Sequence, residues 1–303
     1  MKNLSIKKWL LYSGIGVIVA IFSLVLWFYS TLKATVVEIH EPLPLQVEKM
    51  RPEPISMEEL DPISILLLGV DQREDDRGRS DTIIVLTVNP TLKTTKMLSI
   101  PRDTYVEIAG LSKQDKINHS YAFGGVQMAH ETVQNLLKIP IDYVVSINME
   151  GFVGLVDAID GIVLENSLAF KVDEFNYPVG QLNLNGKETL SYVRMRYDDP
   201  SGDFGRQERQ KDVLHAIFTR LVSIESLFAY RNLLDVVGDN VRTNLTFEEM
   251  KDIRKNYSTS LKNVESLIFK NGGGKKLHHV WYFIADPHEL EQIQNDLKDH
   301  LAQ

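Results

Sequence analysis

Short runs of aliphatic and β-branched residues at Ile63–Val70, Thr82–Asn89 and Lys96–Ile100 are each bounded by turn residues, and they predict β-strands. The first two are apolar at nearly every position, so they are expected to be covered on both faces. From Gly125 to Lys138 the spacing changes: Val126, Ala129, Val133, Leu136 and Leu137 fall on one helical face, and Asp142–Asn148 follows as a strand. Gly151–Ile159 predicts a short apolar helix closed by Gly161, Asn185–Tyr192 a helix, Val193–Arg196 an extended stretch, and Gly205–Ser226 a long amphipathic helix. Thr246 followed by Glu249 has the spacing of a capping box that opens another helix. Val264–Lys270 and His279–Ala285 predict late strands around a flexible Gly272–Gly274 segment, and Pro287 opens a C-terminal helix. Strands and helices alternate, so the predicted fold is α/β: a layered sandwich with a central mixed β-sheet flanked by helices.

A different pattern precedes these elements. From Trp9 to Tyr29 about 21 residues run without a charge, enough to cross a hydrocarbon core of about 30 Å at 1.5 Å per residue. Lys2, Lys7 and Lys8 lie before this run and place the N-terminus in the cytoplasm. The run is longer than a signal-peptide core and no A-x-A site follows, so it reads as an uncleaved anchor. Residues 31–62 hold Pro42, Pro44, Pro52, Pro54 and Pro62 among charges, which predicts an extended spacer. The expected organisation is a cytoplasmic tail at 1–8, a transmembrane helix at 9–30, an extracellular linker at 31–62 and a catalytic domain at 63–303.

Composition narrows the chemistry. The net charge of −8 opposes non-specific binding of nucleic acid, which needs basic surface to displace phosphate counterions. With no cysteine, disulfide scaffolds, thiolate zinc sites and cysteine nucleophiles are excluded.

Three stretches concentrate arginine in this acidic chain. In the first, Leu68 to Arg73 and Gly78 to Thr82, Asp71 ends one strand and Asp81 begins the next. Two carboxylates brought together there fit a divalent cation of the magnesium or manganese type, completed by phosphate and water. They also fit turn caps paired with Arg73, Arg77 or Arg79. In the second, Ser99 to Thr104, Arg102 lies at the carboxyl end of a strand, where open α/β sheets bind ligands, and its guanidinium suits phosphate. The alternative is a solvated Arg102–Asp103 pair. In the third, Arg194 and Arg196 share one side of an extended stretch, and Arg206, Arg209 and Gln210 share a helical face. These sets converge either on an anion at the helix N-terminus or on Asp198, Asp199 and Asp203 as an ordinary paired surface.

Taken in order, LLLGVDQR, GRSDTIIV, SIPRDTYVEI, KINHSYAFGG, IDYVV, GFVGLVDAIDGI, LNGKETLSYVRMR and DPSGDFGRQERQ resemble the motifs of the LytR-CpsA-Psr family of Gram-positive cell-wall enzymes, and within it the teichoic acid transferases. The matching words cover most of residues 63–215. The resemblance implies a phosphotransferase that moves a phosphorylated glycopolymer from an undecaprenyl-pyrophosphate carrier to a muramic acid hydroxyl of peptidoglycan. Carried over by motif, Asp71 and Asp81 hold Mg2+ or Mn2+, while Arg79, Arg102, Arg194, Arg196, Arg206 and Gln210 surround the pyrophosphate, with Arg73 and Arg209 as additions. An apolar tunnel takes the prenyl chain, and Asp81 or Asp103 is expected to accept the hydroxyl proton. His119 stands where the family commonly has a small residue and receives no catalytic role; His278 and His279 read as strand-edge residues.

Competing functions use the same residues. A prenyl-pyrophosphate hydrolase would put water in place of the sugar hydroxyl, and a lipid-binding scaffold would need the pocket without the metal. A transcriptional regulator is opposed by the acidic composition, the expected location outside the cytoplasm and the lack of a helix-turn-helix pattern.

Overall fold

The computed structural model describes residues 30–31, 33–35, 37, 39–40, 50–51, 54–73, 76–195, 199–222, 238 and 240–302. The expected cytoplasmic tail and nearly all of the expected anchor lie outside these, and no described helix is long and apolar enough to cross a membrane.

β1 (Ile63–Arg73) and β2 (Asp76–Asn89) form an antiparallel hairpin, and β3 (Thr94–Ser99) pairs antiparallel with β2. A small hairpin, β4 (Tyr105–Ile108) and β5 (Lys113–Lys116), leads to helix α1 (His119–Leu137), which is kinked at Gly125, where φ is 68°. β6 (Tyr143–Asn148) returns parallel to β1 and runs into α2 (Met149–Ala158), whose N-cap is the Asn148 side chain. β7 (Ile162–Asn166), β8 (Phe170–Val172), β9 (Phe175–Tyr177) and β10 (Gly180–Leu184) follow, then α3 (Gly186–Arg194) and α4 (Asp203–Val222). β11 (Val241–Thr243) joins β6, and α5 (Phe247–Asp252), opened by the Thr246/Glu249 capping box, continues through a π-helical turn into α6 (Ser258–Leu261). β12 (Val264–Leu267) lies parallel to β3, β13 (Gly273–Leu277) and β14 (Val280–Ile284) form a separate hairpin, and α7 (Pro287–Ala302) ends the chain's described part. The central sheet is mixed, in the order β11-β6-β1-β2-β3-β12.

Strand alternation sorts the two faces. Leu66, Leu68 and Val70 of β1, with Ile83 and Val85 of β2, face a core completed by α1 and α7. Ile63 and Ile65, with Ile84, Leu86 and Val88, face the other side, toward Tyr257 and Leu261. A third cluster joins α2, β7, β10, α3 and α4 through residues such as Val156, Ile162, Leu184, Tyr192, Val213 and Ile217. The expected layered α/β sandwich with a central mixed sheet is therefore observed, with both faces of β1 and β2 covered.

Several local expectations fail for identifiable reasons. Val193 and Arg194 are helical, not extended, because the Asn185–Glu188 capping box starts α3 firmly and the helix runs until Met195 turns to ψ 129°. Gly273 and Gly274 are not a loose connector: they belong to β13, where the Trp281 ring occupies the place a side chain on Gly274 would need. The described residues between 30 and 39 are helical, in a segment expected to be extended; its first proline is Pro42. Ile39 is 2% exposed, and Arg51 Nε lies 3.2 Å from the buried Asp142 carboxylate, so the linker packs against the domain.

The C-terminal helix is locked by His300, whose ring hydrogen-bonds Thr87 (2.8 Å) and Thr94 (3.0 Å) while its carbonyl accepts from Asn89. Burial, and then the nearby Lys96 ammonium, push the His300 pKa from 6.5 down to about 4. The unfolded chain therefore takes up this proton first, and stability is lost as the pH falls from 6.5 toward 4. The urea midpoint should be lower at pH 5 than at pH 7, and His300→Gln should flatten that difference; an unchanged difference would remove His300 as its source.

Candidate functional site

A cavity of about 950 Å³ lies on the β1 face opposite α1 and α7. Its construction follows from two periodicities. Along β1, Ile65, Leu67, Gly69 and Asp71 are every second residue, so one row of the strand lines the cavity and ends on a carboxylate. Along α4, Arg206, Gln210, Val213, Ile217 and Leu221 form one stripe at spacings of three and four, polar at its N-terminal end and apolar beyond. The wall of α4 spans roughly 22 Å at 1.5 Å per residue. The result is a long cavity with an aliphatic interior, with Asp71, Asp81, Arg102, Arg194, Arg206 and Gln210 gathered at one end and Lys251 and Arg254 also in its lining.

Asp81 reaches that end through a β-bulge. Gly69 faces Thr82 and Val70 faces Ser80, which leaves Asp81 as the extra residue on β2. Gly69 suits this point, since a Cβ there would stand 3.0 Å from the Thr82 Cβ and would have to displace it slightly. Asp81 Oδ2 accepts from Arg102 Nη1 at 2.6 Å, and Oδ1 accepts from Asn118 Nδ2 at 3.2 Å. The Arg102 loop leaves β3 and is pinned by Thr104 N donating to Pro101 O and by Asn118 N donating to Arg102 O. Gln210 is held at the same edge, where its Oε1 accepts from Ser99 Oγ at 3.1 Å.

The structure gathers Asp71, Asp81, Arg102, Arg194, Arg206 and Gln210 around one cavity. Arg194 arrives differently from expectation: it is the last residue of α3 and shares a helical face with Leu190 and Val193, which also line the cavity. Arg196 and the Arg73 side chain lie outside the described residues. Arg79 is exposed and not among the cavity residues. Asp103 is likewise outside the cavity wall, its Oδ1 taken by Lys116 Nζ at 2.6 Å. Arg209 turns away from the cavity altogether: it binds Asp199 and the Met195 carbonyl and lies over the Phe170 ring. Its face differs because a step of three residues rotates the helix 60° one way and a step of four rotates it 40° the other. His119 pairs with Asp115 at 3.0 Å and is not among the cavity residues.

Three contributors carried no assignment from the sequence. Asn118, in KINHSY, is 4% exposed and orients Asp81; the only sequence signal was the motif itself. Thr35 and Ile39, from the segment expected to be a spacer, complete part of the cavity wall.

For a metal, Asp71 and Asp81 offer oxygen ligands only, the donor set that magnesium and manganese prefer. Among the described residues no group of three or more acidic or histidine side chains comes together, so a cation held here fits as one completed by phosphate oxygens and water.

The fold and this cavity define an α/β protein with a long, largely apolar cavity that gathers arginine and aspartate side chains at one end. The chain belongs to the LytR_cpsA_psr family, whose profile matches residues 26–299. TagU of Bacillus licheniformis, a polyisoprenyl-teichoic acid–peptidoglycan teichoic acid transferase, is 44% identical over 300 residues, covering 97% of each chain. The crystal structure of Bacillus subtilis TagU superposes with a TM-score of 0.66 at 44% identity, over 80% of this chain and 98% of that one. The structure of TagT bound to LIIa-WTA gives a TM-score of 0.74 at 32% identity, over 87% of this chain and all of that one (100%).

Proposed function

We propose that this chain is a membrane-anchored phosphotransferase that moves a teichoic acid-like glycopolymer from an undecaprenyl-pyrophosphate carrier to a muramic acid hydroxyl of peptidoglycan. The observation that carries the reading is the polarity of the cavity: an aliphatic interior sized for a lipid tail, ending on Arg102, Arg194 and Arg206. The family relationship and the naming of its relatives as teichoic acid transferases point the same way.

In this reading the prenyl chain lies between the β1 row and the α4 stripe, and the pyrophosphate sits among the three guanidinium groups. The acceptor hydroxyl attacks the glycan-proximal phosphorus in line, the bond to the bridging oxygen breaks, and lipid monophosphate leaves. The arginines neutralise charge growing on the equatorial and bridging oxygens, where most catalysis of phosphoryl transfer arises. Asp71 and Asp81 are the carboxylates in the cavity lining and so the candidate acceptors for the hydroxyl proton; Asp103 lies outside that lining, with its Oδ1 on Lys116 Nζ. Asp71 and Asp81 are the residues that would hold Mg2+ or Mn2+, which when bound would supply further charge neutralisation on the pyrophosphate. Residues 9–30 anchor the chain with its N-terminus in the cytoplasm and its catalytic domain outside.

The test is transfer by the full chain in detergent from a synthetic prenyl-pyrophosphate donor to peptidoglycan oligosaccharide. We expect transfer with magnesium and its loss on chelation. Release of the glycopolymer to water, with no product on the acceptor, would make the protein a hydrolase; donor binding with neither reaction would make it a carrier.

A further inference from the structure

The β13–β14 hairpin takes no part in the cavity, yet it is tied to the loop that bears Arg102. Phe283 N donates to Asp103 O at 2.9 Å, Thr104 and Phe283 form a parallel bridge, and the Tyr282 ring meets Tyr105 edge-on at 4.9 Å. Because that bridge is parallel, β14 runs in the direction of the Asp103–Tyr105 backbone. Its beginning, at the hairpin tip, therefore lies on the Arg102 side of the contact.

The tip is unlike the rest of this acidic chain. No acidic residue occurs between Ser266 and Ala285, while Lys275, Lys276, His278 and His279 are all exposed. Trp281, 41% exposed, stands opposite Lys276, and its ring lies across Gly274, so a large aromatic is held in place at the surface. His278 and His279 occupy the two turn positions with φ of 48° and 68°, a conformation for which asparagine and glycine are the favoured residues. The expectation that they are strand-edge residues is corrected here: they form the turn itself, and imidazoles stand where the backbone favours smaller groups.

We propose that this hairpin is a docking strip for the phosphodiester backbone of the glycopolymer, which it holds as the polymer leaves the pyrophosphate site. Charge complementarity carries the assignment: two lysines and two histidines beside the catalytic loop meet a repeating anion, and Trp281 offers a flat face to its sugar or polyol units. The inference deepens the proposed reaction by assigning a substrate-binding surface beyond the cavity.

Binding of a lipid-free poly(glycerol phosphate) oligomer to the full chain in detergent tests it without requiring turnover. Lys275→Gln/Lys276→Gln should weaken binding about tenfold and flatten its salt dependence, as loss of charged phosphate contacts does. Trp281→Ala should weaken binding without changing the salt slope. Loss of transfer in Arg102→Ala reports on the proposed reaction, whereas weakened oligomer binding in the double lysine variant reports on the hairpin, so the two readings fail separately. Equal binding by wild type and the double lysine variant, or displacement of the oligomer by uncharged glycan strands, would overturn the assignment.

Discussion

Arg102→Ala should reduce glycopolymer transfer by roughly 10³–10⁵-fold, the range in which a single transition-state arginine acts in phosphoryl transfer. The side chain is one-third exposed at the cavity, and its one close ion pair is with Asp81 at 2.6 Å. Neither feature makes it a pillar of the fold, and its loop is held through backbone bonds to Pro101, Thr104 and Asn118 that survive the substitution. Thermal unfolding should therefore move little while turnover collapses. Arg102→Lys should restore only a small part of the activity, because an ammonium gives a point charge where the guanidinium gives two coplanar donors. Single-turnover transfer from a prenyl-pyrophosphate donor measures both variants. Activity of Arg102→Ala within tenfold of wild type would place the developing charge elsewhere, with Arg194 and Arg206 the next arginines at that end of the cavity to test.

What could be read from the sequence, and what could not, divides along a physical line. Patterns local to one element were legible: the apolar runs of β1 and β2, the capping box at Thr246 and Glu249, and Pro287 at the start of α7. The convergence of Asp71, Asp81, Arg102, Arg194, Arg206 and Gln210 was legible only through the ordered motifs, since no spacing rule links residues on five different elements. The bulge that aims Asp81 depends on register between two strands, which one strand's sequence does not encode. Arg194 falls in a stretch, Val193–Arg196, that the sequence predicts to be extended, whereas the capping box nine residues earlier carries the helix through it. The helical segment before Pro42 was invisible because its partner, β11, lies some 200 residues away: His40 bridges to Thr243, and its Nδ1 lies 3.3 Å from Leu245 O (|i−j| = 205).

Arg209 shows most clearly how a motif arginine can belong to the scaffold, and its removal should cost about 3–5 kcal/mol of stability, the usual result of breaking one side of a buried ion pair. Its side chain is 7% exposed and that of Asp199 5%, and Nη2 donates to the Met195 carbonyl at 2.7 Å. These contacts close the chain across residues 196–198, so Arg209 fixes the ends of the stretch that contains Arg196. For a domain of this size, Arg209→Ala should lower the melting temperature by roughly 10 °C. Asp199→Ala should cost a similar amount, and the double variant should cost less than the sum, since neither charge is then left buried alone. A pyrophosphate ligand would behave in the opposite way: Arg209→Lys would lose transfer while keeping stability. The scaffold role requires that stability fall first and activity follow it, with the surviving folded fraction turning over near the wild-type rate at low temperature. Normal melting of Arg209→Ala together with lost transfer would return this arginine to the pyrophosphate.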